Sequence, residues 1–284
     1  MPKNEIPPLN VQSLLRKYGL RADKKLGQNF LQDPFALEAI AFAAEIDPTD
    51  TILEIGSGLG SLTRHLAKSA SRVIAVELDR DLIPPLKEVI AAYNNISIIH
   101  GDILELSPQN LGLEHGYLVV ANIPYYITSA IIRHLLAKPS KGENHPTPRR
   151  IVLTVQKEVA KRICAAPGDM SILALSVQLY GKPRIAKHIP AGAFFPAPKV
   201  DSAVLSIDIY PSPQIKFEFH DTFFKLIKAG FGQKRKTLRN SLSSGLHISA
   251  SDAESLLLAA KIDPMRRAET LSIDDWQNLS NLYK

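Results

Sequence analysis

Four consecutive residues, Asn122-Ile123-Pro124-Tyr125, have types and spacing suited to holding a planar aromatic amine. They follow the apolar run 117–121, which predicts a buried strand, so we expect them at the strand's carboxyl end, where open α/β sheets bind ligands. There the Asn122 side-chain oxygen and the Ile123 carbonyl could accept the two amino hydrogens, and Tyr125 could stack on the ring. Pro124 favours extended backbone at Ile123 and so aims its carbonyl. The alternative interpretation is an ordinary Asn-x-Pro turn with a tyrosine in the core.

A glycine-rich segment, 54–63 (EIGSGLGSLT), joins a predicted strand to a predicted helix. Glycine lets the backbone turn sharply and approach a ligand closely. The dinucleotide fingerprint G-x-G-x-x-G needs a third glycine at position 61, which is Ser61. The segment therefore resembles the nucleoside loop of S-adenosylmethionine (SAM) methyltransferases more than an NAD site, although a structural tight turn is the alternative.

Acidic residues follow the next two predicted strands. Glu77 lies about twenty residues after Gly56, where a carboxylate can accept hydrogen bonds from ribose hydroxyls. Asp102, after Gly101, could accept the amino group of a cofactor adenine. A surface acid capping a helix and a plain Gly-Asp turn are the alternatives. Because three successive strands each deliver a glycine or an acid at one edge, we predict a nucleoside cofactor, SAM. The histidines are scattered without metal-ligand spacing, so we predict no metal.

The chemistry that this arrangement predicts is methylation of the exocyclic nitrogen of adenine. That nitrogen is a poor nucleophile because its lone pair is delocalised into the ring, and two acceptors on its hydrogens favour the pyramidal, reactive form. A base flipped out of its helix needs a second aromatic wall. Phe194, in a proline-rigid loop before Lys199, is the candidate, whereas Phe195 could pack into the core. A stiff hairpin turn is the alternative for this loop.

Strand and helix patterns alternate from residue 51 onward, which predicts an α/β fold with a parallel sheet covered on both faces. With the glycine segment's resemblance to methyltransferase loops, we expect a Rossmann-like SAM-dependent methyltransferase sheet. The predicted strands are 51–55, 72–77, 96–100, 117–121 and 150–156, and the predicted helices are 61–69, 81–92, 128–137 and 157–164. Residues 172–180 fit a helix or a strand, and 185–189 with 202–210 fit a terminal hairpin.

Residues 211–213 (PSP) predict a domain boundary. We therefore expect a catalytic domain over 1–210 and a small all-helical domain over 211–284, the latter binding RNA or the ribosome. Its predicted helices are 220–230, 236–243, 251–258, 263–267 and 273–282.

The net charge of +6 favours a polyanionic partner. Residues 222–251 contain no acid, and their basic residues predict phosphate contact, with a solvated helix face as the alternative. Together with Lys199, the predicted RNA-binding residues are Lys234, Arg235, Lys236 and Arg239. The single Cys164 excludes an intrachain disulfide. The absence of a signal-peptide core or a long apolar run predicts a soluble cytoplasmic protein.

These motifs resemble, in their order, those of the ribosomal RNA adenine dimethyltransferase family. The segments that carry the resemblance are 26–31 (LGQNFL), 54–63, Glu77, 101–102, 122–125 and 194–200 (FFPAPKV). Residues 231–242 (FGQKRKTLRNSL) resemble the branch that modifies bacterial small-subunit ribosomal RNA.

The resemblance implies a role for each matched position. It implies that SAM is contacted by Asn29, Leu31, Gly56, Glu77, Asp102 and Asn122, and that the target base lies between Tyr125 and Phe194. It also implies dimethylation of two adjacent adenosines in the 3′-terminal hairpin loop of 16S rRNA, late in assembly of a 30S particle. We expect a monomer. The rival functions are a large-subunit rRNA methyltransferase conferring antibiotic resistance and a non-enzymatic assembly factor.

Overall fold

The computed structural model describes residues 6–123, 127–136 and 146–283. These residues form two compact units. The sheet unit contains the described residues up to Ala160 together with Arg184–Ile209, and the helical unit contains Lys161–Pro183 and the described residues from Tyr210 onward. Residues 161–183, which the sequence-based division assigned to the catalytic domain, therefore pack with the helical unit.

A seven-stranded mixed sheet organises the sheet unit, with the strand order β4-β3-β2-β5-β6-β9-β7. Its strands are β2 (Thr51–Ile55), β3 (Arg72–Glu77), β4 (Ile96–His100), β5 (Leu118–Asn122), β6 (Arg150–Gln156), β7 (Gly181–Ile189) and β9 (Ser202–Ile209). Neighbouring strands from β4 to β6 are parallel, and β9 is antiparallel to β6. The α/β prediction and the adjacent pair β7 and β9 are confirmed.

The chain reverses its winding direction between β2 and β5, which are neighbours at the centre of the sheet. In an open α/β sheet this switch point is where a crevice forms outside the carboxyl ends of the strands. Asn122 is the last residue of β5, whereas the sequence pattern ended the strand at Ala121. The fold therefore brings Asn122 beside the glycine segment that follows β2.

Helices cover the sheet because its central strands are apolar on both faces, so both faces must be shielded from water. The helices of the sheet unit are α1 (Val11–Lys17), α2 (Pro34–Ala44), α3 (Ser61–Ser69), α4 (Ile83–Ile90) and α5 (Thr128–Leu136). The division between the units falls within α6 (Lys157–Ile163), and α7 (Ile172–Gln178) belongs to the helical unit. Buried side chains of α2 and α3 form one core cluster with strand residues such as Ile52 and Leu118. The helical alternative for 172–180 is confirmed.

Two very short strands form a separate antiparallel pair, β1 (Phe30–Leu31) with β8 (Phe194–Phe195). Phe30 is opposite Phe195, and Leu31 is opposite Phe194. The pair joins two motifs that are more than 160 positions apart in the chain, as the register numbers show. Residues 194–195 were predicted as loop and residues 30–31 were assigned to no element, because two residues cannot show a strand period.

The helical unit also contains α8 (His220–Phe231), α9 (Leu238–Leu246), α10 (Ala250–Ala259) and α11 (Ile273–Leu282). Its core is built around the fully buried Trp276 and Phe223. The helix predicted over 263–267 is wrong: Asp263 accepts a hydrogen bond from the Met265 backbone N–H, and the segment turns. No helix among the described residues is long and apolar enough to cross a membrane.

Candidate cofactor and active site

The carboxyl ends of the central strands open into a cavity of about 890 Å³, counted out to its solvent mouth. The sequence-predicted residues that line it are Asn29, Gly56, Glu77, Asp102, Asn122 and Phe194. The structure thus brings together, in one cavity, residues that were chosen separately from the sequence.

Backbone conformation explains the glycines between β2 and α3. Gly56, Gly58 and Gly60 have φ angles of 71°, 56° and 83°, a region that side chains disfavour. A Cβ on Gly58 would lie 3.4 Å from the ring of Phe30, and one on Gly60 would lie 3.0 Å from Leu86. The loop therefore presents bare backbone to the cavity and closes tightly against its surroundings.

Glu77 ends β3 with its carboxylate held by the backbone. Oε2 accepts the Gly58 N–H at 2.6 Å, and Oε1 accepts the Asp79 N–H at 2.9 Å. Burial raises the pKa of Glu77, and these backbone hydrogen bonds oppose that rise. Each carboxylate oxygen keeps a further lone pair. Glu77 could therefore accept hydrogen bonds from the hydroxyls of a ribose in the cavity.

Glu54, inside β2, is a second buried acid that the sequence analysis did not single out. It is 1% exposed, and its Oε2 has no hydrogen-bond partner among the described residues. Burial raises its pKa to about 8, and the nearby Glu77 carboxylate adds to the effect. Burial therefore favours the protonated, neutral form of Glu54. Glu54 could have been recognised in the sequence as the one acid within the apolar run 51–55.

Asp102 follows β4 and lines the cavity while also closing a turn, since its Oδ1 accepts the Leu104 N–H at 2.9 Å. Apolar side chains adjoin both acids. Leu78, which is 49% exposed, and Ile103 line the same cavity, and neither was predicted. Both could have been predicted as cavity-lining residues from their position directly after the acids at the strand ends. Such surfaces are suited to packing against a flat base.

Asn122 is half-buried, and its Nδ2 donates to the backbone carbonyl of Asn29 at 3.2 Å. A carbonyl only accepts, so this bond fixes which side of the amide carries the nitrogen. Among the described residues, no hydrogen bond to the Asn122 amide oxygen is seen. The next residue, Ile123, is buried and also lines the cavity. Pro124 and Tyr125 lie outside the described residues, so the stacking role of Tyr125 stays a prediction.

The predicted aromatic wall is tightly packed. Phe194 is 2% exposed and belongs to the core of the sheet unit, yet it also contributes to the cavity lining. Phe195 packs on a smaller cluster that includes Phe30 and residues of α1. Leu31 is buried in the core and is not among the cavity-lining residues, so its cofactor contact stays a prediction.

The predicted RNA-binding residues differ in their surroundings. Lys199 in the sheet unit and Lys234, Arg235 and Lys236 in the helical unit are exposed. Arg239 instead pairs with Glu254 at 3.0 Å. Within residues 6–123, 127–136 and 146–283, no group of three or more His, Cys, Asp or Glu side chains is placed to hold a metal ion.

The sheet topology, the glycine loop and the strand-end acids define a Rossmann-like methyltransferase. Residues 19–284 match the family described as ribosomal RNA adenine dimethylase, and the chain belongs to that family. The resemblance seen in the sequence motifs is confirmed.

Two relatives and two solved structures illustrate the match. Ribosomal RNA small subunit methyltransferase A of Dehalococcoides mccartyi is 47% identical over 98% of this chain and 94% of the relative. The protein of the same name from Alkaliphilus metalliredigens is 40% identical over 97% and 96%. A dimethyladenosine transferase from Plasmodium falciparum has a TM-score of 0.74 and 26% identity, covering 88% and 95%. The 23S rRNA methyltransferase ErmE has a TM-score of 0.70 and 26% identity, covering 89% and 99%.

Proposed function

We propose that this protein uses SAM to dimethylate N6 of two adjacent adenosines in the 3′-terminal hairpin loop of 16S rRNA. The substrate would be a 30S particle late in assembly, in the cytoplasm, and the enzyme would act as a monomer without a metal. The relatives named as small-subunit methyltransferases, 40–48% identical over nearly the whole chain, support the choice of RNA. The cavity at the β2–β5 switch point supports the chemistry.

The cavity residues fit SAM as methyl donor. The glycine backbone leaves room for its methionine and ribose parts, the free lone pairs of Glu77 suit the ribose hydroxyls, and Asp102 with Leu78 and Ile103 suits an adenine. When bound, SAM supplies an activated methyl group on its sulfonium. Roles for Asn29, Leu31 and Gly56 in holding it are part of the same proposal.

Asn122 would orient the target amine. Its Nδ2 is held by the Asn29 carbonyl, so its amide oxygen would accept one amino hydrogen, and the Ile123 carbonyl would accept the other. The lone pair of the adenine nitrogen would then form a bond to the methyl carbon while the carbon–sulfur bond breaks and its electron pair returns to sulfur, which leaves S-adenosylhomocysteine. The methylated nitrogen would release its proton to water. Tyr125 and Phe194 would hold the base between them. Orientation of this kind can supply much of the rate enhancement.

The single observation that carries the proposal is the convergence of Asn122, Glu77 and the glycine loop on one cavity. The test is to incubate the protein with radiolabelled SAM and small subunits lacking the modification, and then to digest the RNA. We expect labelled dimethyladenosine in 16S rRNA. Label only in 23S rRNA would favour the large-subunit alternative, and no label beside an active control enzyme would favour an assembly factor.

The role of Asn122 is tested separately. Asn122→Ala should abolish methyl transfer while SAM binding, measured by calorimetry, stays detectable. Equal loss of both would mean that Asn122 is chiefly a cofactor ligand. Asn110→Ala, an exposed asparagine of the same unit, is the matched control.

A further inference from the structure

Gln28 lines the cavity and has both ends of its side-chain amide bonded. Its Nε2 donates to Oδ2 of Asp79 at 2.6 Å, and its Oε1 accepts the Asp23 N–H at 2.8 Å. A carboxylate only accepts and a backbone N–H only donates, so the chemistry of the two partners fixes the orientation of the amide. Gln28 therefore fastens the segment before β1 to the turn after β3.

Asp79 carries this connection to the predicted ribose acid. Its backbone N–H donates to Oε1 of Glu77 at 2.9 Å, and its Oδ1 accepts the Asp81 N–H at 3.0 Å. Both carboxylate oxygens of Asp79 are thus engaged, one with Gln28 and one with the turn. Of these hydrogen bonds, only the one from Gln28 to Asp79 joins the segment before β1 to the turn after β3.

Asn29, the residue after Gln28, contacts Asn122 at the end of β5. The Asn29 carbonyl accepts Nδ2 of Asn122, and the Asn29 side chain donates to the Gly27 carbonyl at 3.0 Å. The position of the Asn29 carbonyl decides where the amide of Asn122 is held. Two consecutive residues, 28 and 29, therefore bridge the acid end of β3 and the amide end of β5.

We propose that Gln28 is a positioning residue for methyl transfer. By anchoring to Asp79, it places the Asn29 carbonyl so that the Asn122 amide oxygen faces the target amine. This proposal rests on the proposed function, since the amine is the substrate named there. Gln28 touches no reacting atom and acts through Asn29.

The test exchanges donor and acceptor. Gln28→Glu removes the donor and sets two carboxylates against each other, while its oxygen can still accept the Asp23 N–H. Adding Asp79→Asn restores a hydrogen bond of opposite polarity, because the amide at position 79 can donate to the carboxylate at position 28 and still accept the Asp81 N–H. Gln12→Glu, an exposed glutamine of α1, makes the same change of charge and is the matched control.

For Gln28→Glu we expect kcat at saturating SAM and RNA to fall roughly 10- to 100-fold, as for other small misplacements of reacting groups. The dissociation constant for SAM should change by a smaller factor. In the double variant kcat should recover to within about threefold of the unaltered protein, since the two changes are coupled. An unchanged kcat in Gln28→Glu, or no recovery in the double variant, would overturn the proposal.

A second readout is independent of activity. The side-chain amide signals of Asn122 in a ¹⁵N NMR spectrum, assigned by their loss in Asn122→Asp, should shift in Gln28→Glu and return in the double variant. Signals that do not move would overturn the positioning role even if the protein loses stability. Failure of the proposed function would show instead as absence of methyl transfer by the unaltered protein.

Discussion

The backbone N–H of Gly58 donates to Oε2 of Glu77 at 2.6 Å, so the glycine loop and the acid of the next strand form one unit. The positive φ of Gly58 and the absence of a side chain allow this approach. This hydrogen bond ties the loop after β2 to the end of β3 at one edge of the cavity.

Glu77→Gln should weaken SAM binding. The variant replaces a charged carboxylate with a neutral amide that has one acceptor oxygen instead of two, so the proposed hydrogen bonds from the ribose hydroxyls are weakened or lost. Hydrogen bonds to charged groups contribute about 1.5–3 kcal/mol, which corresponds to roughly 10- to 150-fold in the dissociation constant. Isothermal titration calorimetry with SAM measures it. Glu114→Gln, at an exposed position, is the control, and equal affinities for the two variants would contradict the role of Glu77.

Glu54 should make stability fall with rising pH. Its pKa is about 8 in the folded protein against an ordinary value of 4.5. Between these values the folded state keeps a proton that the unfolded state has released, so the free energy of unfolding decreases as pH rises. The contribution of the Glu54 proton to the free energy of unfolding is fully present below pH 4.5 and is lost as the pH rises through about 8.

Glu54→Gln keeps the shape and stays neutral, so the variant should lose less stability than the unaltered protein between about pH 5 and pH 9. Urea unfolding followed by circular dichroism at several pH values measures the difference. Glu114→Gln should follow the unaltered protein throughout. Parallel curves for Glu54→Gln and the unaltered protein would contradict a raised pKa.

The main strands, most helices and most cavity residues were predictable because local patterns determine them. Strand-end acids and glycines need only a strand and a turn, and β3, β4 and α3 match their predicted bounds. The pairing of β1 with β8 was not predictable, since it joins distant residues through strands too short to show a period. For the same reason, the contact of Asn29 with Asn122 and the anchoring of Gln28 appear only in three dimensions.

Residues that belong to the same sequence motif also differ in their burial and in their partners. Leu31 and Asn29 belong to one motif, but Leu31 lies in the core and Asn29 lines the cavity. Arg239 and Lys234 belong to one basic segment, but only Arg239 has a carboxylate partner, Glu254, among the ion pairs of the described residues. A linear pattern shows residue type and spacing, whereas partners depend on packing between elements.

Gly245 allows close packing of α8 and α9. A Cβ at this position would lie 2.6 Å from both Cα and Cβ of Ala229. Gly245→Ala gains about 1 kcal/mol of helix propensity but overpacks the contact at a cost of roughly 1–3 kcal/mol, so a net loss of up to about 2 kcal/mol is expected. Fluorescence of Trp276, the single tryptophan and a residue of the same unit, reports the urea midpoint.

Adding Ala229→Gly should restore only part of that loss, because the Ala229 Cα is as close as its Cβ. Gly192→Ala is the control, since nothing lies within 4 Å of a Cβ placed there. If the urea midpoint of Gly245→Ala equalled that of Gly192→Ala, then α8 and α9 would accommodate the added methyl group with no loss of stability.

The exposed basic residues of the helical unit should contribute to RNA affinity by neutralising phosphates. Lys234→Glu with Arg235→Glu should weaken binding to small subunits and flatten its salt dependence, by about 0.7–0.9 in the logarithmic slope for each phosphate that is no longer neutralised. Arg239→Ala should have a smaller effect, because Arg239 already pairs with Glu254. The matched control is Lys182→Glu with Lys216→Glu, two exposed lysines of the same unit with the same change in charge. Affinity measured over a range of salt concentrations separates the two pairs, and equal slopes would mean that Lys234 and Arg235 only face solvent.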